Sequence, residues 1–471
     1  MTESLLLLLA LTSPLAVASS APELPPLPEV RACAESEPAA GVLVTYPTAL
    51  PFALLAEIAE DDILYVLIDE AGEQWPASRD LVDKGVDLSS VEFLVAPTNT
   101  IWTRDWSAAA GFQGGQHTLV DPIFTAYTLD THQGGSLVTL GGNHADDDAS
   151  PAAVAAHTGA QHVPVPVHLV GGNYDPDGFG NAFTTQLLVD ENRYWGVPEP
   201  FLRGVLSQEL GIGQLRVLPN YATFDLQHID CALKVVDEET LVITRPPANH
   251  PDYPHFEALA LEAQSYRTAF GRRYEVHRID APLFDDGVWG PAPANYANSL
   301  ILNGKVLVPM FGLPQADARA LRVYEKAMPG HEVIGYLYGD APLMGPGNSW
   351  HTFDALHCRT HQIFDPGMLL IRHPRVREAS AGAPSEVRAL IKAYSGTPLV
   401  QTTLHWRLAG AAGWTAVSLQ PGAHGQEFVG VIPAQSAGVE VEYYLSATDG
   451  SGRTESRPPL APQGAYAFTV N

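Results

Sequence analysis

The chain has 471 residues, 46% hydrophobic and 17% charged, which describes a globular protein long enough for more than one core. Its formal net charge of −27 excludes a generic nucleic-acid binder and a polybasic membrane binder, and it suits a cationic substrate. At the N-terminus, Met1-Thr2-Glu3-Ser4 precedes a short apolar run, Leu5 to Ala10, and the small residues Ala16-Val17-Ala18. This pattern reads as a signal peptide over 1–20, followed by a Pro-rich spacer, and predicts a secreted or periplasmic protein. No other segment is long and apolar enough to span a bilayer.

Further along, one pattern recurs: an apolar strand ends in a Pro-containing turn, a helix follows, and a second strand closes the unit. Gly41 to Pro47 precedes a helix and then the strand Ile63 to Ile68. Leu241 to Pro246 precedes a predicted helix over 255–270 and the strand Tyr274 to Ile279. Val306 to Pro309 precedes a helix over 315–327 and the strand Glu332 to Tyr336. A weaker copy runs from a strand at Leu187-Leu188-Val189 through helix 199–210 to Leu215-Arg216-Val217-Leu218. Alternating strands and helices imply an α/β class, and the irregular spacing points to radial repetition with loop insertions. After residue 395 the pattern changes to short alternating strands, 401–408, 414–419, 426–432, 439–447 and 464–470. These read as a small immunoglobulin-like β-sandwich over 397–471, reached through a joint, 373–395, that ends in a predicted helix over 385–395.

Three cysteines, Cys33, Cys231 and Cys358, are too few for a disulfide framework. A Cys33–Cys231 bridge is possible on count, but free thiols fit better, and no Cys/His spacing suggests zinc. Cys358 lies in Ala355-Leu356-His357-Cys358-Arg359-Thr360-His361, where polar and cationic neighbours argue against core filling. Upstream, Trp102-Thr103-Arg104-Asp105-Trp106 offers a carboxylate beside aromatic rings. His228-Ile229-Asp230 offers an imidazole and a carboxylate that, on a strand, would point to one face. A thiol nucleophile, an imidazole and two carboxylates are what hydrolysis of a cationic guanidinium needs. Asp175-Pro176-Asp177-Gly178 with Asn181 fits only part of a calcium loop and reads as a polar turn, and Asp146-Asp147-Asp148 reads as a solvated loop.

The segments Trp102 to Asp105, Gly171-Gly172-Asn173-Tyr174, His228 to Cys231, Asn298-Ser299-Leu300-Ile301-Leu302-Asn303 and Ala355 to His361 stand in the order found in one family. With Tyr443-Tyr444-Leu445-Ser446-Ala447 in the C-terminal part, the chain resembles the bacterial, Porphyromonas-type peptidylarginine deiminases, relatives of agmatine deiminase in the guanidino-group-modifying superfamily. The resemblance implies a five-bladed α/β-propeller, the pentein fold, as the catalytic domain over 36–384, with the immunoglobulin-like sandwich after it. It implies Cys358 as the nucleophile, with Arg359 or a protonated histidine favouring its thiolate, and His228 as the general acid and base. It implies Asp105 and Asp230 as the carboxylates that grip the guanidinium, Asn298 as a positioning amide, and Trp102 as a wall for the substrate's aliphatic stem. Catalysis of this kind requires no metal or other cofactor.

Two departures bear on the substrate. Agmatine deiminases carry a glutamate before the glycine pair, where this chain has Val170. The Porphyromonas-type enzymes hold a C-terminal carboxylate with two arginines downstream of the first catalytic aspartate, where this chain has Ala126-Tyr127-Thr128-Leu129. A basic residue from a distant loop, such as Arg245 or Arg278, is the alternative source of such a clamp. The expected function is a secreted deiminase converting arginine in peptides or proteins to citrulline and ammonia. The alternatives are an agmatine or free-arginine deiminase, and a secreted binding protein that has lost catalysis. Every matched catalytic residue precedes Thr360, so the sandwich is expected to be dispensable for the chemistry.

Overall fold

Two parallel strands need a long crossover, and in this chain helices supply it repeatedly. The computed structural model describes residues 24–125, 127–130, 137–140, 144–223, 226–285, 291–339 and 350–471, so the expected signal peptide lies outside the described residues. Within them, an antiparallel pair is followed by helix and then by a strand parallel to the second of the pair. The pair Leu233–Asp237 and Thr240–Arg245 leads through the helix Tyr253–Ser265 to Glu275–Asp280. Leu300–Leu302 and Lys305–Met310 lead through Pro314–Ala327 to Glu332–Leu337. Asp175–Pro176 and Asn181–Thr185 lead through Gln186–Tyr194 and Glu199–Leu210 to Gln214–Leu218. Ala109–Gln113 and Gln116–Ile123 lead through Ala145–Thr158 to Gln161–His168. The last unit joins the two ends of the region. His361–Phe364 pairs antiparallel with Ala39–Thr45, which leads through Phe52–Asp61 to the parallel strand Ile63–Ile68.

The middle strands are covered on both faces, which explains their unbroken apolar sequence. Leu241, Val242 and Ile243 are fully buried, as are Val306, Leu307 and Val308. The crossover after Met310 starts where the sequence instructs it to. Pro314 opens the helix, and Asp317 in its first turn accepts the backbone N–H of Leu313 at 2.8 Å and of Phe311 at 3.2 Å.

Three local expectations are corrected. Leu187-Leu188-Val189 is helical, within Gln186–Tyr194, and the strand of that unit is Asn181–Thr185. Asp146-Asp147-Asp148 is no solvated loop: it opens the helix Ala145–Thr158, and buried Asp147 accepts the backbone N–H groups of Asn99 and Thr100. The predicted helix 385–395 is a strand, Ser385–Ala393, hydrogen-bonded on one side to Leu369–Arg372 and on the other to Glu427–Ile432. Its Glu, Arg, Ala, Leu and Lys residues favour helix, but pairing on both edges overrides that weak preference.

That strand belongs to a C-terminal pair of antiparallel sheets. One runs Leu369–Arg372, Ser385–Ala393, Glu427–Ile432, Gln420–Pro421. The other runs Thr415–Ser418, Leu399–Leu408, Glu440–Asp449, Thr454–Arg457, with Tyr466–Thr469 also paired to Glu440–Asp449. Alternate residues of both, among them Val387, Ala389, Ile391, Leu404, Val441, Tyr443 and Leu445, fill one core. The sheets therefore draw on residues well ahead of 397. They are tied to the rest of the chain by buried ion pairs, Arg372 and Arg457 to Glu238 and Arg372 to Glu37.

Candidate active site

The short segments that lead into the first strand of each unit carry the candidate residues. Asp105 is in the helical turn Thr103–Trp106 before Ala109–Gln113, and Gly172 is in the turn Gly171–Asn173 before Asp175–Pro176. Asp230 is in Ile229–Cys231 before Leu233–Asp237, Asn298 precedes Leu300–Leu302, and Cys358 is in His357–Arg359 before His361–Phe364. Repeating one topological position is what brings residues distant in sequence together. His228 and Asp230 do not share a strand, contrary to expectation; a 3₁₀ turn carries them, with His228 as its extended N-terminal flank.

Gly172 marks the centre of the site. A Cβ built on it would stand 2.6 Å from Asp105 Oδ1, 3.0 Å from His228 Nδ1 and 3.2 Å from Asp230 Oδ2. The three functional groups thus converge on the face left bare by a glycine. Asp105, His228, Asp230 and Cys358 are each 3% exposed or less.

Cys358 is buried, but among polar groups. Its sulfur lies 3.2 Å from Asn298 Nδ2 and 3.7 Å from Asp230 Oδ2. Asn298 Oδ1 accepts the backbone N–H of His357 at 2.9 Å and of Cys358 at 3.3 Å, so the amide nitrogen is the end that faces the sulfur. The thiol is pushed up to about 11: a hydrogen bond with Cys231 pulls it down, but burial and the charges of Asp230 and Asp105 outweigh that. The expected help from Arg359 is confined to charge. Its guanidinium turns to Asp354, at 2.8 Å, and to the carbonyl of Ala49, over the rings of Tyr338 and Trp350. All three cysteines are free and buried.

The two carboxylates have opposite tendencies. Burial and the charge of Asp230 hold Asp105 well above the ordinary carboxylate range, against hydrogen bonds from the Tyr127 hydroxyl at 2.8 Å and the Gly172 N–H at 3.2 Å. Burial would raise Asp230 as well, but a hydrogen bond and charge from His357 hold it below its usual value. Carboxylates pushed apart in this way are characteristic of sites that move protons. Asp230 Oδ1 is buried with no protein partner among the described residues, so it is the acceptor left for a ligand. His228, 3.6 Å from Asp105 Oδ1, is lowered to about 4 by burial and is a neutral imidazole near neutral pH.

Sequence reasoning missed Tyr127, His357 and Glu35. Tyr127 meets Trp102 edge-to-face at 5.4 Å, and half-buried Trp102 with it forms an aromatic wall beside Asp105. His357 stood inside the cysteine motif but drew attention only as a polar neighbour. Glu35 carried no local signal at all. The turn at Asp175 closes on itself: Asp177 accepts from Phe179 N, from the backbone and side chain of Asn181 and from the Tyr274 hydroxyl, and Asp175 accepts from Val235 N. Among the described residues no group of His, Cys, Asp and Glu is placed to hold a metal ion.

Known proteins share both the sequence and the fold. Residues 32–363 match the family described as Porphyromonas-type peptidyl-arginine deiminase. A Selenomonas ruminantium protein described as an agmatine deiminase is 26% identical over 335 residues, covering 66% of this chain and 85% of that one. Agmatine deiminase of Pseudomonas fluorescens is 31% identical over 217 residues, 41% of this chain and 56% of that one. Among solved structures, a Porphyromonas gingivalis protein described as an arginine deiminase superposes with a TM-score of 0.56 at 23% identity, covering 70% of this chain and 97% of that one. The C. jejuni agmatine deiminase with substrate bound gives 0.56 at 18% identity, covering 71% and 96%. With the larger part of its length matched, the chain belongs to the Porphyromonas-type peptidyl-arginine deiminase family, hydrolases of the C–N bonds of guanidino groups.

Proposed function

We propose that this protein is a peptidyl-arginine deiminase that converts arginine side chains to citrulline and ammonia through a thiouronium on Cys358. The guanidinium lies between Asp105 and Asp230, whose carboxylates match its planar fork of donors. Its positive charge offsets the two carboxylates that hold the thiol up, so the thiol gives its proton to His228 as the cation arrives. The thiolate attacks the guanidinium carbon. His228 passes that proton to one amino group, the C–N bond breaks, and ammonia leaves. Neutral again, His228 then takes a proton from water as the water adds to the thiouronium carbon. Collapse of that adduct expels the sulfur as thiolate, the adduct's hydroxyl proton goes to solvent, the ureido group of citrulline remains, and His228 returns its proton to the thiolate.

The observation that carries the peptide reading over agmatine is Val170, buried in an apolar cluster where agmatine deiminases carry a glutamate. No carboxylate stands there for the far ammonium of a diamine. Acceptance of internal arginines follows from the same neighbourhood. Arg245 and Arg278, the candidates for a replacement clamp, are bound to Asp280 and Glu257. Tyr127, in the segment where the clamp is expected, is held by Asp105. The relatives named agmatine deiminase favour the second reading, hydrolysis of agmatine or free arginine. One assay separates the readings: ammonia release from agmatine, free arginine, a peptide ending in arginine, and the same peptide with one residue appended. Both peptides should be used within about a hundredfold of one another, or about 2.7 kcal/mol, and well above agmatine. Faster turnover of agmatine, or a larger preference for the terminal arginine, overturns the reading.

The proposal includes a five-bladed α/β-propeller built from the repeated strand–strand–helix–strand units, and an immunoglobulin-like domain built from the C-terminal sheets. It also includes export directed by residues 1–20, supported by their apolar run and small residues. Fractionation with N-terminal sequencing of the recovered protein tests export; a cytosolic protein that keeps Met1 overturns it.

A further inference from the structure

Behind the substrate carboxylate lies a buried line of charges that the mechanism above does not use. His357 Nδ1 is 2.8 Å from Asp230 Oδ2, and His357 Nε2 is 2.7 Å from Glu35 Oε2. The same Glu35 oxygen takes Lys234 Nζ at 2.6 Å and stands 3.9 Å from the Arg104 guanidinium. Its other oxygen accepts the Ile301 N–H at 2.7 Å. All of these residues are buried. Burial would raise Glu35, but the charges of Lys234 and His357 bring it well below the usual carboxylate value, so both of the histidine's partners are anions. The remaining titratable neighbour, His361, is held well below its usual value by burial and by the Arg104 and His357 charges. Asp175, the further carboxyl beside Lys234, is pushed up to about 7 by burial.

We propose that His357, bridging Asp230 and Glu35 through its two ring nitrogens, is a positioning residue for substrate: by occupying one oxygen of Asp230 it aims the other at the guanidinium. The bond fixes the rotation of the carboxylate. It also explains why burial leaves one carboxylate of the pair below its usual value while the other is driven towards its neutral form. Glu35 in turn fixes the ring of the histidine, and Lys234 and the Ile301 N–H fix Glu35. A buried ion line of this length is weak evidence for stability. Its end at the one unpartnered carboxylate oxygen of the site is what assigns it to substrate binding.

The inference rests on the family's guanidino chemistry and holds whether the substrate is a peptide or agmatine. The experiment therefore uses a blocked arginine amide and agmatine, follows whichever the unaltered enzyme turns over, and measures inhibition by the matching neutral ureido compound. His357→Gln should raise KM for the cation by at least about tenfold and lower kcat by much less, while inhibition by the neutral compound changes less than about threefold. Glu35→Gln, which keeps the shape and removes the charge, should act in the same direction. The double variant should be no worse than about twofold beyond His357→Gln, because both act through one line. Should His357→Gln fail to fold, Glu35→Gln alone decides the matter. An unchanged KM for the cation in a folded variant overturns the proposal. So does equal weakening of cationic and neutral ligands, which is the mark of a merely structural tie.

Discussion

The amide nitrogen of Asn298, in the turn before Leu300–Leu302, faces the sulfur of Cys358 at 3.2 Å. A neutral donor steadies a thiolate without creating one. The empty enzyme accordingly keeps a thiol, and the cationic substrate is the activating charge. The amide is oriented by the backbone of the very turn that carries the cysteine, so nucleophile and partner are set as one piece.

Replacing the nucleophile tests this directly. Cys358→Ala should lower turnover by at least about a thousandfold, while the far-ultraviolet spectrum and melting temperature stay close to the parent. Residual activity above about one per cent would contradict a covalent route. Asn298→Asp, which sets a carboxylate beside the sulfur, should lower kcat/KM by about a hundredfold or more through charge repulsion alone.

Gly172→Ala should be nearly as damaging although it adds one methyl group. That methyl would sit against Asp105 Oδ1, His228 Nδ1 and Asp230 Oδ2, where the guanidinium belongs. The expected result is a folded protein with loss of both substrate affinity and turnover, read by ammonia release and by thermal melting. Turnover within about threefold of the parent would place the substrate elsewhere.

The pH dependence follows from Asp105. Burial and the Asp230 charge hold its proton on well above the usual range, and a bound cation prefers the carboxylate. Affinity should therefore rise with pH until Asp105 ionises in the empty enzyme and fall as pH drops below that point. His228, lowered to about 4, adds no limb near neutrality. Tyr127→Phe removes a hydrogen bond that favours the ionised form, so the limb should move to higher pH, by up to about one unit. A shift to lower pH, seen in kcat/KM profiles, would contradict the assignment.

The C-terminal sheets were expected to be dispensable for the chemistry, and buried ion pairs tie them to the rest of the chain. Glu238 accepts Arg372 and Arg457 at 3.0 Å each and the His373 N–H at 2.9 Å, with all of these groups buried. Glu238→Gln leaves two buried guanidinium groups short of charge and should cost about 3 kcal/mol of stability, measured by urea unfolding, with little change in KM. A chain ending at 395 would keep the strand Ser385–Ala393 without its partner Glu427–Ile432 and should be unstable for that reason.

Much of this site was legible in the sequence because its residues sit in compact motifs with distinctive chemistry. Cys358, His228, Asp230, Asp105 and Asn298 meet as expected. The units that were readable had unbroken apolar middle strands, such as Val306 to Val308. The unit over 109–168 was not, because its strands are broken by Gly, Gln and Pro and its helix opens on aspartates. Glu35 and His357 were invisible in role because their meaning is a contact across most of the chain, and no local pattern encodes it. The strand Ser385–Ala393 was misread for the same reason: its partners lie elsewhere, and its own residues favour helix.

The pairing of His361–Phe364 with Ala39–Thr45 has a consequence for the timing of activity during synthesis. The nucleophile lies just ahead of the closing strand, so it is among the last functional residues to leave the ribosome, long after Asp105 and Asp230. Until that strand docks beside one made hundreds of residues earlier, Cys358 has neither Asn298 nor Asp230 beside it. A partly made chain thus lacks an assembled site for a guanidino substrate. Competence arrives in a single step, when the first and last strands of the catalytic region meet.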